Sequence, residues 1–288
     1  MTILEKSLSS HELSLSQLND KLKIILINAH HQGLRPMVFS DFDNTLCDHY
    51  AFDPQINIHI PQIHSEISRL AKITSLFIAT ARFADDPAIS IIVQKLFRSG
   101  GWFNQPVICE NGGVIFFPAT GKKQILAPTN FLDAIKGLQE KFDTQPPLSI
   151  SGQNLFTKVG KTVLWLRMQD QDGNGKPEIH QRLAWAINDK INRYKFQVTS
   201  GGSSVIIQSP ETSKKLAFLT LLKQLSIDRL KTFVIGLGDA PNDEPIFQAS
   251  DFAIGVNSQT FGYVNEVCPF GEQTALEVLK VINQNQNG

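Results

Sequence analysis

The segment MVFSDFDNTL (Met37–Leu46) joins a short apolar run to a pair of carboxylates two positions apart. The apolar residues predict a buried strand that ends at Asp41. Because open α/β sheets bind ligands beyond the carboxyl ends of their strands, we expect Asp41 and Asp43 at the mouth of a crevice. There Asp41 would attack phosphorus as a nucleophile, and Asp43 would protonate the leaving oxygen and later activate water. Thr45 and the turn backbone would orient this loop.

Other short apolar runs follow along the chain, and helical patterns lie between them. The predicted strands are Ile73–Ala79, Val107–Cys109, Thr232–Ile235 and Phe252–Val256, and the predicted helices cover residues 61–72, 86–98, 212–225, 242–249 and 273–284. Strands that alternate with helices imply right-handed crossovers and a doubly wound parallel sheet, so we assign the chain to the α/β class. Residues 12–29 also have helical spacing, which predicts an extra amphipathic packing helix ahead of the first strand.

The middle of the chain has a different pattern, in which strands and helices form a separate group. We predict a helix near 130–142, a strand at Thr162–Met168, a helix near 178–194, and strands near Phe196–Thr199 and Ser204–Gln208. This pattern indicates an α+β unit inserted into the first domain. We therefore predict a core of residues 1–117 and 206–288, in which residues 1–35 hold the extra N-terminal helix. Residues 118–205 would form a cap that selects the substrate, and its Lys158 and Arg167 could face either the substrate or solvent.

Two further segments can hold a phosphate group at the edge of the predicted sheet. In LFIATAR, Thr80 ends the second strand, where its hydroxyl and the nearby amides can hold a phosphate oxygen and Arg82 can add charge. In SPETSKKLAF, Lys214 lies at a helix start, where it would neutralise the phosphate and the charge that develops in the transition state. Lys215 is adjacent, and the pattern alone leaves the choice between the two lysines open.

The segment GLGDAPNDEPIF places Asp239, Asn242 and Asp243 after another predicted strand and near a helix N-terminus. Together with Asp41 and Asp43, these carboxylates put several negative charges in one crevice, which is costly without a cation. Carboxylates, waters and a phosphate oxygen are the ligands that Mg²⁺ prefers. The sequence therefore predicts a Mg²⁺ site. The Gly-Leu-Gly run does not predict a dinucleotide site, because the third glycine of that fingerprint is missing.

These four segments, in this order, resemble the motifs of the haloacid-dehalogenase superfamily, whose members have a Rossmann-like core. The segment ICENGGVIF (Ile108–Phe116) resembles the motif that precedes the inserted cap in Cof-type sugar phosphatases. GLGDAPND is similar to the corresponding segment of the mannosyl-3-phosphoglycerate phosphatase family. The resemblance covers nearly the whole chain after residue 35. It implies a Mg²⁺-dependent phosphomonoester hydrolase that forms an aspartyl-phosphate on Asp41 and acts on a sugar phosphate or a phosphorylated glycoside.

The resemblance also implies a role for each matching residue. Mg²⁺ would be bound by the Asp41 carboxylate, the Asp43 backbone carbonyl and the Asp239 carboxylate. Asp243 would belong to the same metal site, where it and Asn242 would support the metal waters and Lys214. Phosphate would lie against Thr80, Lys214 and Asn242. The chain departs from the family pattern at three positions, which are Asn44 in place of the commoner glycine, Ala81 in place of glycine, and Lys215 where glycine is frequent.

The composition argues against several other classes of protein. The 288-residue chain has 27 basic and 27 acidic residues, which argues against a long basic surface for nucleic acid. Its longest apolar runs are far too short to span a bilayer, and its N-terminus lacks the apolar segment of a signal peptide. Three scattered cysteines form no CxxC pair, so a reducing, cytoplasmic setting fits best. We expect a small phosphorylated substrate and no nucleic-acid or membrane partner.

Two alternative functions remain open on the sequence alone. A sugar phosphomutase would return the phosphoryl group to a sugar, and a binding or regulatory protein would keep the fold without turnover. The intact set of Asp41, Asp43, Lys214 and Asp239 argues against a protein without turnover. Neither the identity of the substrate nor the oligomeric state follows from the sequence.

Overall fold

The computed structural model of the chain describes residues 12–47, 66–67, 69–70, 75–87, 89, 105–171, 176–200, 204–257 and 263–286. The strands are β1 (Arg35–Asp41), β2 (Ser75–Ala79), β3 (Val107–Cys109), β4 (Val114–Phe117), β5 (Lys122–Ile125), β6 (Asn154–Val159), β7 (Val163–Gln169), β8 (Gln197–Ser200), β9 (Val205–Gln208), β10 (Thr232–Gly238), β11 (Phe252–Gly255) and β12 (Glu266–Val267). The α-helices given bounds here are α1 (Leu15–His31), α2 (Phe131–Thr144), α3 (Pro177–Asn188), α4 (Lys214–Gln224), α5 (Glu244–Ala249) and α6 (Glu272–Gln286).

The larger sheet has the strand order β12-β11-β10-β1-β2-β3-β4-β5. The strands from β12 to β3 pair in parallel, and β4 and β5 are added antiparallel at one edge. This arrangement confirms the predicted α/β class with a doubly wound parallel sheet. The antiparallel pair at the edge and the short β12 were not predicted. Because β1 lies between β10 and β2, its carboxyl end adjoins the ends of both neighbours.

The burial of β1 shows why a continuous apolar run forms this central strand. Alternate residues face opposite sides of the sheet, so Val38 packs in one hydrophobic cluster and Phe39 in the other. Both faces are covered, as is usual for parallel sheets. Phe39 stacks on Phe218 of α4 with ring centroids 4.1 Å apart. The predicted N-terminal helix is α1, which begins with a capping box between Ser14 and Gln17.

The second sheet consists of β6, β7, β9 and β8 in that order, and all of its pairs are antiparallel. Helices α2 and α3 cover one face of this sheet through a shared hydrophobic cluster, which includes Ile135, Leu166 and Leu183. The sheet includes β6, which was not predicted, and α3 ends at Asn188 although its pattern predicted a helix to residue 194.

The borders between the two sheets differ slightly from the predicted domain borders. Strand β5, at Lys122–Ile125, lies beyond residue 117 yet belongs to the larger sheet, and β9 belongs almost wholly to the predicted core yet pairs in the smaller one. The division into a core and a cap stays a prediction. The predicted helices 61–72 and 86–98 lie largely outside the described residues. No helix in the described part of the chain is both long and apolar enough to cross a membrane.

Candidate active site

The predicted nucleophile lies in a buried ion-pair network at the end of β1. Asp41 is 6% exposed, and its Oδ1 accepts a hydrogen bond from Lys214 Nζ at 2.5 Å. The same Nζ donates to Asp243 Oδ1 at 2.6 Å. Lys214 is the first residue of α4, whose N-cap Ser213 accepts a hydrogen bond from the Leu216 amide. Burial acts to lower the pKa of Lys214, but the two carboxylates outweigh it and the pKa is raised.

The two adjacent lysines lie in different surroundings, and only Lys214 contacts the carboxylates of the site. Lys214 is fully buried between the carboxylates, whereas Lys215 is partly exposed and lines a surface groove with Leu34 and Asp251. Consecutive residues on an α-helix point in directions roughly 100° apart, so only one of the two can face the crevice.

A group of three carboxylates forms a candidate site for a divalent cation. One oxygen from each of Asp41, Asp239 and Asp243 lies within 4.8 Å of the others. Burial, and then the charge of Asp243, raises the pKa of Asp41 well above its ordinary value. The same causes raise the pKa of Asp239 to about 7. A cation among these oxygens would offset the cost of burying several negative charges together.

The loops around the group hold these side chains in place. Asp243 Oδ2 accepts hydrogen bonds from the backbone amides of Asp239 and Ala240, each at 3.0 Å. Thr45 Oγ1 lies 3.5 Å from Asp239 Oδ1. Asn44 has a φ of +58°, a left-handed conformation that asparagine tolerates better than most residues with a Cβ. The departure from glycine at this position is therefore compatible with the turn.

Asp43 is held by an arginine that the sequence identified only as added charge. Arg82 Nε lies 2.9 Å from Asp43 Oδ2, and Arg82 Nη2 lies 2.6 Å from Asp43 Oδ1. Thr80 Oγ1 is 3.4 Å from Asp43 Oδ2 and accepts a hydrogen bond from the Arg82 amide. The pairing of a guanidinium with both oxygens of a carboxylate fixes the orientation of Asp43.

A turn of unusual conformation at Glu110–Gly112 joins the site to the smaller sheet. Its residues have φ values of +52°, +53° and +98°. The amides of Glu110 and Asn111 donate to the carbonyls of Arg82 and Thr80 at 2.9 and 3.0 Å. The Glu110 carboxylate accepts hydrogen bonds from the Thr162 amide and hydroxyl at 2.7 and 2.9 Å. Burial raises the pKa of Glu110, and the bonds from Thr162 oppose this effect.

The turn also contacts the end of β9, where the chain leaves the smaller sheet, and the start of α4. Asn111 Nδ2 donates to Gln208 Oε1 at 2.5 Å, at the end of β9. Gly112 approaches α4 so closely that a Cβ there would lie 2.1 Å from the Ser213 carbonyl carbon. The sequence indicated this segment as a motif that precedes the cap, and in the structure it contacts both the Thr80 loop and the start of the lysine helix.

A cavity of about 280 Å³ lies between the acidic group and the smaller sheet. From the larger sheet it is lined by Asp41, Asp43, Asn44, Ala81, Arg82, Phe83, Asp86, Asp239, Ala240 and Asn242, and from the smaller sheet by Lys158, Trp165, Arg167 and Ser204. The Asn242 Oδ1 atom is buried and has no hydrogen-bond partner among the described residues. The structure thus brings all the predicted site residues to one place, with Thr80 and Lys214 buried beside the cavity. Their roles in catalysis stay predictions.

Comparisons with known proteins show which proteins this chain is similar to. Residues 168–260, which include Lys214, Asp239 and Asp243, match the family model of haloacid dehalogenase-like hydrolases. The C-terminal domain of trehalose-6-phosphate phosphatase from C. albicans has a similar fold, with a TM-score of 0.66 at 15% identity, over 96% of this chain and 99% of that one.

Two further solved structures have the same fold. A chain from Plasmodium vivax, described as a HAD/COF-like hydrolase, gives a TM-score of 0.62 at 14% identity, over 88% of this chain and 96% of that one. An N-terminally truncated IMP-nucleotidase from Plasmodium falciparum gives 0.57 at 17%, over 93% of this chain and 75% of that one. The family match over residues 168–260 and the shared fold bear out the predicted resemblance to haloacid dehalogenase-like hydrolases, and they support a phosphatase.

Proposed function

We propose that this haloacid-dehalogenase-like hydrolase is a Mg²⁺-dependent phosphatase that acts through an aspartyl-phosphate on Asp41. The observation that carries the proposal is the ion pair of Asp41 with Lys214, 2.5 Å apart, at a strand end that opens into the cavity. A carboxylate nucleophile, an adjacent buried cation and further carboxylates for a metal are the parts that phosphoryl transfer requires. Two of the three similar structures described above are named for phosphatase or nucleotidase activity.

The donor set fits a magnesium ion. We propose the carboxylates of Asp41 and Asp239 and the backbone carbonyl of Asp43 as its ligands, because hard oxygen donors suit Mg²⁺. Asp243 is fully buried and both of its oxygens accept hydrogen bonds from protein groups, so its part in the metal site is to hold Lys214 and the Asp239 turn. When bound, Mg²⁺ would neutralise the charge on the transferring phosphoryl group.

The side chains divide the reaction between them in two steps. Asp41 attacks phosphorus, the bond to the leaving oxygen breaks, and Asp43 gives its proton to that oxygen. Asp43 then takes a proton from the water that attacks the aspartyl-phosphate, which releases phosphate and restores Asp41. Asp43 must leave its pair with Arg82 for this, and an incoming phosphoryl group can replace it as the partner of Arg82. Thr80, Lys214 and Asn242 would hold the phosphoryl oxygens.

We infer that the substrate is a small phosphorylated molecule, and we propose a sugar phosphate or a phosphorylated glycoside. The cavity of about 280 Å³ is just below the usual range of about 300–1,000 Å³ for ligand pockets, and the smaller sheet lines one side of it. That sheet and its helices would serve as the cap, which selects the organic part of the substrate and excludes water. We propose a cytoplasmic setting, because all three cysteines are buried and free.

Phosphate release from p-nitrophenyl phosphate and a panel of sugar phosphates, with Mg²⁺ and with EDTA, tests the proposal. We expect phosphate release in the presence of Mg²⁺ and none in EDTA, and Asp41→Asn should abolish the release. The matched control is Asp189→Asn, which removes a carboxylate at the end of α3 whose side chain is 80% exposed, and it should leave the rate unchanged. Unchanged release by the Asp41 variant would refute the covalent mechanism. Formation of isomerised sugar phosphates without free phosphate would indicate the phosphomutase instead.

A further inference from the structure

The sheet of the proposed cap presents two different faces. Residues of β7 alternate between them, so Leu164, Leu166 and Met168 are buried in the cluster under α2 and α3. Trp165 and Arg167 point the other way and line the cavity. The register of the antiparallel pair places Lys158 directly opposite Trp165. The ring of Trp165 and the cations of Lys158 and Arg167 therefore face the acidic crevice from the side of the smaller sheet.

The cations around the cavity differ in what they contact. Arg82 pairs with Asp43 and Asp86, and Lys158 Nζ lies 4.7 Å from the centre of the Phe83 ring. Arg167 Nε is buried and has no hydrogen-bond partner among the residues that the structure describes. Arg167 therefore differs from Arg82 and Lys158 in having a buried nitrogen that no described residue contacts by a hydrogen bond.

A buried guanidinium nitrogen without a partner is costly, so a site that keeps one gains free energy when an anion binds there. Arginine presents a planar fork of donors that matches a carboxylate or a phosphate. In the proposed reaction the transferring phosphoryl group would be held by Lys214 and Thr80, which contact the cavity-lining Asp41 and Asp43 of the larger sheet. The partner for Arg167 Nε would then be a second acidic group, attached to the part of the substrate that the proposed cap covers.

We propose that Arg167 is a specificity-determining residue that binds a second anionic group of the substrate, a carboxylate or a further phosphate. The substrate class is then a phosphomonoester whose organic part carries that anion. Trp165 lies two residues away on the same face and offers a flat apolar surface to the carbon skeleton between the two anions. This inference rests on the proposed phosphatase function and names the substrate class for the same site.

Two pairs of compounds that differ in one acidic group test the inference. They are glucose 6-phosphate against 6-phosphogluconate, and fructose 6-phosphate against fructose 1,6-bisphosphate. We expect kcat/KM for the more acidic member to be higher by about tenfold or more, the usual effect of one charge-assisted hydrogen bond. Arg167→Gln should remove this preference by lowering the kcat/KM of the more acidic member far more than that of the less acidic one. Circular dichroism of the variant checks that it folds.

The matched control is Arg182→Gln, which removes an exposed arginine from α3, on the covered side of the cap sheet. It should keep the preference. If Arg167→Gln lowers kcat/KM equally for both members of a pair, Arg167 holds the transferred phosphoryl group and the inference is wrong. Absence of any preference in the unaltered protein would overturn it as well.

Binding to the Asp41→Asn protein separates failure of this inference from failure of the proposed function. If the unaltered protein releases no phosphate from p-nitrophenyl phosphate or from any of the four sugar compounds, the proposed function is wrong. Titration calorimetry with the Asp41→Asn protein still compares the affinities of the four sugar compounds. We expect the acidic member of each pair to bind about tenfold tighter, and the added Arg167→Gln change to remove the difference. Equal affinities before that change would refute the inference.

Discussion

Gly112 lies where the Glu110–Gly112 turn touches the start of α4, and its replacement by alanine tests whether this contact positions the proposed phosphate-binding lysine. A Cβ at Gly112 would lie 2.1 Å from the Ser213 carbonyl carbon and 2.4 Å from the Lys214 amide nitrogen. Both are backbone atoms, so no side-chain rotation can relieve the overlap. The φ of +98° adds strain for any residue that has a Cβ.

These two effects set the expected magnitude. A left-handed backbone costs roughly 1–2 kcal/mol for a residue with a Cβ, and an overpacked contact costs typically about 1–3 kcal/mol. Gly112→Ala should therefore lower the free energy of unfolding by about 2–5 kcal/mol in urea titrations. The start of α4 must also move away from the turn. Because this displaces Lys214 from Asp41, kcat for phosphate release should fall by roughly tenfold to a hundredfold.

Gly121→Ala is the matched control, because its φ of +69° is also left-handed but nothing lies within 4 Å of an added Cβ. It should lose only the backbone part, about 1–2 kcal/mol, and keep its kcat. Urea titration followed by circular dichroism and Mg²⁺-dependent phosphate release measure the two quantities. If Gly112→Ala proves as mild as Gly121→Ala and keeps full activity, the turn does not position α4 and the reasoning is refuted.

Three further predictions concern the ion pairs, the metal and helix α2. Lys214→Met leaves two buried carboxylates without their cation and should lower the free energy of unfolding by about 3–5 kcal/mol in urea, against under about 0.5 kcal/mol for Lys215→Met; equal losses would contradict the network. Burial raises the pKa of Asp239 in the folded protein to about 7, so the folded state binds a proton there that the unfolded state does not. Without Mg²⁺, the free energy of unfolding should therefore fall as the pH rises toward and through about 7. The rise in Tm caused by Mg²⁺ should therefore be larger at about pH 8 than at about pH 6, and a rise independent of pH would count against Asp239 as a ligand. Gly137→Ala, in α2 with open space around the added Cβ, should raise the free energy of unfolding by about 0.5–1 kcal/mol, and a loss would show a contact that the structure lacks.

The larger sheet and its acidic crevice could be predicted because their signals are local. Its central parallel strands are buried on both faces, so each appears in the sequence as a continuous apolar run such as Met37–Phe39. Site residues lie at the ends of such runs, as Asp41 is the last residue of β1 and Thr80 follows β2. In parallel strands this position fixes the edge of the sheet at which the side chains meet.

The features that sequence analysis missed depend on tertiary contacts, or on a weak alternation of polar and apolar residues along a strand. Strand β6, with the sequence NLFTKV, places polar residues in its alternating pattern and is half exposed along its length. The choice of Lys214 over Lys215 depends on which side of α4 meets the core, and no local pattern records this. The same holds for the pairing of Arg82 with Asp43, because the two residues come from neighbouring strand ends.

The ion pair at the centre of the site has a consequence for the order in which the chain is made. Asp41 and Lys214 are separated by 173 positions, and β10, the strand beside β1, ends only at Gly238. During synthesis from the N-terminus, β6 to β9 emerge together and can pair with one another before β10 is complete. The nucleophile is thus made early, but Lys214, Asp239 and Asp243 follow it by about 170 positions or more. A ribosome-bound chain that ends before these residues has no assembled site, so the proposed phosphatase would become active only after Asp243 has left the ribosome.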